Sequence, residues 1–161
     1  MTTTTGMVLQ WLKKLPNKQK CAFISFNVVE FYSPISETAL EHAHDLVTNY
    51  VNISDDYHYI ILEGKLSLLF NNRNPWQKTN TNTLFNVTMG SYNGAETCEL
   101  IGIYILYQLK EKSYGMEIGL YRDDGLAVLD QTPQKIEKIK EEICKVFTTN
   151  NLHTKNVVHF S

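Results

Sequence analysis

"GLYRDDGLAV", residues 119–128, sets two adjacent acids in the middle of an apolar run. The segments "EIGLY" (117–121) and "GLAVL" (125–129) are apolar and β-prone, so they predict two strands on either side of "RDD". Asp124-Gly125 is a strong hairpin signal, because both residue types tolerate the positive φ of a type I′ turn. Turn chemistry needs only one aspartate. It leaves the second carboxylate and the preceding Tyr121 unexplained, and two anionic groups fixed at a strand junction suit hard divalent cations.

Outward from that hairpin the elements alternate. "CAFISFNVVEF" (21–31) reads as a mostly buried strand ended by Pro34. Ser36 is a good N-cap for a helix whose apolar face is Leu40, Ala43, Val47, Tyr50 and Val51. His42 and His44 on that helix are two apart, the wrong spacing for a shared metal face, and read as solvated or core-edge residues. Ser54 caps a second helix expected to run to about Phe70, followed by a polar loop, "NNRNPWQKTNTN" (71–82). "TLFNVTM" (83–89) is a strand candidate leading into "GSYNGAE" and a helix to about Lys112, apolar nearly all round and therefore central. After the hairpin, Thr132 and Pro133 start a helix striped by Ile136, Ile139, Ile143, Val146 and Phe147, and "KNVVHF" closes the chain as a strand. The order β-α-α-β-α-β-β-α-β predicts an α+β fold, an antiparallel sheet with helices packed on one face. A tail and short helix (1–20) with Val8, Trp11, Leu12 and Leu15 at helical spacing precede a single domain over 21–161.

Composition narrows the function classes. The chain has 161 residues, 43% of them hydrophobic and 20% charged, as expected of a globular domain. Its longest apolar run, "LIGIYILYQL" (100–109), is about half of a membrane span. The start "MTTTTGM" lacks a signal-peptide pattern, so no membrane and an intracellular location are expected. Cys21, Cys98 and Cys144 are far apart and odd in number, and read as buried thiols of a reduced compartment. A net charge of −2 argues against a self-sufficient nucleic-acid binder, which normally carries a basic excess.

Tyr121-Arg122-Asp123-Asp124 resembles the Y-x-D-D signature of reverse transcriptases, which that family also carries on a β-hairpin. Two further segments agree in order. "FNVVEFYSPIS" (26–36) is similar to the family's first metal strand, F-D-I-x-x-F-Y-P-S-I, and "MGSYNGAE" keeps the Gly90-to-Gly94 spacing of its G-x-P-Q-G turn. The likeness is to polymerases of non-viral retroelements, Penelope-like ones among them, and it covers the palm subdomain alone, with fingers and thumb missing. It implies two Mg2+ ions, Asp123 as a ligand of both and Asp124 beside them, a template-primer of RNA or DNA, deoxynucleotides, and a partner as one source of fingers and thumb. It places Tyr32 where an aromatic ring excludes a ribose 2′-hydroxyl, and Gly90, Asn93 and Gly94 at the nucleotide. A lone palm without its basic neighbours would also be near neutral, as this chain is.

Two departures matter. Asn27 stands at the position of the family's first catalytic Asp, and a neutral amide cannot bridge two cations as a carboxylate does. Glu30 faces the other side of a regular strand and is a poor substitute. Ser33-Pro34 reverses the family's Pro-Ser order. The resemblance therefore implies a reverse-transcriptase fragment impaired by Asn27; the alternative is a non-catalytic nucleic-acid or protein interaction module on a degenerate palm scaffold.

Overall fold

The computed structural model describes residues 10, 13–14, 21–32, 34–66, 69–76, 85, 87, 93–112 and 117–160. Four strands form one antiparallel sheet in the order β4-β5-β1-β6: β1 (Ala22–Val29), β4 (Glu117–Tyr121), β5 (Asp124–Leu129) and β6 (His153–Phe160). Four helices pack with it among the described residues: α1 (Glu37–Thr48), α2 (Asp55–Glu63), α3 (Gly94–Lys112) and α4 (Pro133–Thr149). The fold is α+β, as the order of elements predicts.

β1 explains the layering. Ala22, Ile24, Phe26 and Val28 are buried while the residues between them are half-buried or exposed, the period-two signature of a strand with one face covered. That covered face meets Leu40 and Ala43 of α1, Ile101, Ile105 and Leu109 of α3, and Ile136, Ile143, Val146 and Phe147 of α4 in one core. Phe26 and Phe147 stack at a tilt, 5.5 Å between centroids. The stripe expected on α4 is buried except for Ile139, which packs at its edge. Ser36 caps α1 as expected, its Oγ accepting from the Ala39 amide at 3.2 Å.

Several expectations require correction. β1 ends at Val29, before Pro34 acts, because Glu30 adopts a φ of 52° and turns the chain. The second helix stops at Glu63, well short of Phe70. The loop expected after it contains a hairpin, β2 (Leu69–Asn71) with β3 (Asn74–Trp76). Asn72 and Arg73 at its tip have φ of 49° and 66°, the paired positive values of a type I′ turn. Of the strand expected at 83–89, Phe85 and Val87 are described, both buried and neither in a strand. Of the short N-terminal helix, Gln10, Lys13 and Lys14 are described as helical and exposed, while its apolar residues lie outside the described ones.

Candidate functional site

The β4–β5 turn differs from the one its composition suggests. Tyr121 pairs with Asp124, so the two-residue tip is Arg122-Asp123, with φ of 55° at Arg122. Gly125 lies inside β5 and serves a different need: a Cβ there would fall within the ring of Phe26, which lies flat against the bare backbone. Asp123 is therefore a tip residue and Asp124 the first residue of a strand.

That geometry carries the acids to β1. In the β1–β5 register Asn27 is the partner of Asp124, and the Val28 amide donates to the Asp123 carbonyl at 2.7 Å, so the tip is stitched to the end of β1. On the face away from the helices, Asn27 Nδ2 donates to Asp124 Oδ1 at 3.1 Å across 97 residues of sequence. An ionised carboxylate only accepts, so this bond turns the amide nitrogen of Asn27 inward and its oxygen away. Asn27, Tyr121, Arg122, Asp123 and Asp124 are all exposed. Arg122 lies over the Tyr121 ring, 5.3 Å from its centroid, and among the described residues neither aspartate has an ion-pair partner. Register extends the row across the sheet: Tyr121 of β4, Asp124 of β5, Asn27 of β1 and Lys155 of β6 are successive neighbours.

Other expected site residues are placed unevenly. Tyr32 lies beyond the turn at Glu30, half-buried, with its ring edge-on to Phe31 at 6.4 Å and its body against the core. Gly94 opens α3 and is buried, and Asn93 just before it is half-buried. Gly90 lies outside the described residues. Glu30 is exposed, and among the described residues no three His, Cys, Asp or Glu side chains are grouped to hold a metal ion.

α3 runs against the strand that leads into the acidic hairpin, a Cβ on Gly102 lying 3.8 Å from the Leu120 side chain. Burial pushes the Cys98 thiol, one turn into α3, up to about 11, with the Lys65 and Arg122 charges pulling the other way. Such a thiol is inert at neutral pH. Lys65 is the residue that composition did not single out. It is 2% exposed, and its ammonium donates to Asn93 Oδ1 at 2.5 Å. The one available signal was a lysine set directly before the apolar "LSLLF". His42 is exposed beside Tyr104, whereas His44 is buried edge-on to His58 of α2, 4.8 Å between centroids.

Among the described residues no helix is long and apolar enough to cross a membrane. No protein-family model matches this chain, and no curated protein does.

Proposed function

We propose that this chain is the palm portion of a reverse transcriptase of a non-viral retroelement, with Asp123 and Asp124 as the acids of its nucleotidyl-transfer site and Asn27 as a replacement that weakens it. The observation that carries this proposal is the in-register pairing of Asn27 with Asp124, which joins the two segments that the Y-x-D-D resemblance needs side by side. Asp124 lies on the sheet face away from the helices, with Asp123 exposed at the tip beside it, the side left to a template-primer and its deoxynucleotide. Tyr32 and the turn at Gly90, Asn93 and Gly94 belong to the nucleotide under the same proposal, and the cytoplasm or nucleus to its location.

Adjacent exposed carboxylates fit one hard divalent cation such as Mg2+, and the amide at Asn27 falls short of the shared ligand a second ion needs. When bound, such ions supply Lewis acidity to the primer hydroxyl and phosphate oxygens. The protein's own part is to hold the acids rigid, through the Val28–Asp123 bond and the Phe26–Gly125 contact beneath them. Asn27 opposes cation binding, since its amide hydrogen already occupies an oxygen of Asp124. Losing one charged ligand from a two-ion clamp removes several kcal/mol of transition-state stabilisation, roughly a thousandfold in rate. Primer extension with Mg2+ or Mn2+ tests this. The Asn27→Asp chain joined to intact fingers and thumb should extend a primer, the unaltered chain so joined should be about a thousandfold slower, and failure of both against an active control would refute the assignment.

The Asn27–Asp124 hydrogen bond also favours a second function, a non-catalytic interaction module, because it steadies the hairpin without any cation. Binding to a primer-template duplex at several salt concentrations separates the two kinds of module: a nucleic-acid binder shows a clear negative slope, a protein-binding one almost none.

A further inference from the structure

Lys65 follows the end of α2, its amide donating to the Leu62 carbonyl at 2.9 Å. At 2% exposure its side chain has left water, an expensive change for a cation. Among the described residues both hydrogen bonds of its ammonium go to one residue: Asn93 Oδ1 at 2.5 Å, and the Asn93 carbonyl at a longer 3.4 Å. That carbonyl is already occupied by the Thr97 amide at 3.1 Å and the Thr97 hydroxyl at 2.7 Å, which fixes the backbone where α3 begins. Burial lowers the tendency of Lys65 to stay charged, with the more distant Cys98 and Glu96 acting in the opposite sense. Leucine would fill such a place without desolvating a charge. The lysine therefore needs a reason, and the Asn93 side chain provides one.

An amide held by its oxygen presents its nitrogen on the opposite side. Among the described residues nothing accepts from Asn93 Nδ2, although the residue is only half-exposed. We propose that Lys65 is a positioning residue that pins the Asn93 amide by its oxygen, so that the NH2 group is held as a ready donor to an oxygen of the incoming deoxynucleotide. The nucleotide half of this inference rests on the polymerase reading; the pinning of Asn93 does not.

The test uses the full chain with two independent readouts. The first is the side-chain NH2 resonance pair of Asn93, identified by its absence in Asn93→Asp. The second is titration with a deoxynucleoside triphosphate in Mg2+. In the unaltered chain the Asn93 pair should stand apart from those of free asparagines. Lys65→Met should return it to the free position and weaken the nucleotide on the order of tenfold, the worth of one charge-assisted hydrogen bond. Lys65→Arg should restore both. An Asn93 pair unmoved by Lys65→Met overturns the proposal. A pair that moves as expected in a chain that binds no nucleotide upholds the pinning and overturns the polymerase reading. Should Lys65→Met fail to fold, Asn93→Asp decides: a carboxylate on the buried ammonium should raise Tm yet lower nucleotide affinity, because the donor is gone. An unchanged or lower Tm in that variant overturns the proposal.

Discussion

Along β1 neighbouring residues occupy opposite environments: Phe26 is sealed between Gly125 and Phe147, while Asn27, one residue on, is exposed and touches Asp124. The covered face is tightly packed and hydrocarbon, so its tolerance is set by volume. At its hairpin end the other face is polar, with Tyr121, Asp124, Asn27 and Lys155 in a row, and its tolerance there is set by charge. The contrast shows why the acidic hairpin can be both stable and chemically exposed: its apolar support, Phe26 against Gly125, lies on the side opposite the Asp124 carboxylate it displays.

Substitutions on the two faces should therefore fail differently. The largest effect belongs to the covered face. Phe147→Ala removes a fully buried ring and should lower stability by about 3–5 kcal/mol, read from urea unfolding with an unchanged m-value. Gly125→Ala comes next, at about 1–3 kcal/mol, because the new methyl meets the Phe26 ring. If it is silent, the close approach of ring and backbone is wrong.

A polar residue inside the packed layer sharpens the contrast. His44 is buried on α1, neither ring nitrogen hydrogen-bonded among the described residues, next to His58 and with Asp45 beside it. Its pKa is lowered below 6.5, first by burial and then by His58, with Asp45 opposing. Below 6.5 the unfolded chain then binds more protons than the folded one, so stability falls as pH drops from 6.5 towards the folded value and levels off beneath it. His44→Leu should raise stability at neutral pH by about 1–2 kcal/mol, since an unsatisfied buried polar group disappears. It should also flatten the loss of Tm as pH falls below 6.5. The smallest effect is on the solvent-exposed side of α4, where Lys140→Ala, which breaks the 3.3 Å pair with Glu137, should change stability by less than about 0.5 kcal/mol.

Much of this division is legible in the residues themselves. The stripe of α4 follows from apolar spacing, because burial has a period and spacing reveals it, and the N-cap at Ser36 follows from a hydroxyl set just before a helical run, whereas the one-sided burial of β1 does not show in a segment that reads as mostly buried. Turns are harder. The polar composition of "NNRNPW" hides the tip at Asn72-Arg73, although asparagine tolerates the positive φ it adopts. In "RDDG" the glycine draws the expected turn towards itself, whereas it is needed two residues after the tip to admit Phe26, a contact between segments about a hundred residues apart. Of the site, the likeness of motifs points to Asn27, Asp123 and Asp124 as neighbours, and β1 and β5 pair in that way. Lys65 could not be foreseen, because a single lysine in a sequence does not reveal which way its side chain turns.

The most direct test is the thermal unfolding of Asn27→Asp with and without Mn2+. Two carboxylates facing each other across β1 and β5 should destabilise the metal-free variant by about 0.2–1 kcal/mol. A cation at about ten times its Kd should add about 1.4 kcal/mol, or roughly 3–6 °C in Tm. The unaltered chain should gain much less, and a further Asp124→Asn change should abolish the gain. Equal Mn2+ shifts in the unaltered chain and in Asn27→Asp, or a gain that survives the loss of Asp124, would contradict a cation site between the hairpin and β1.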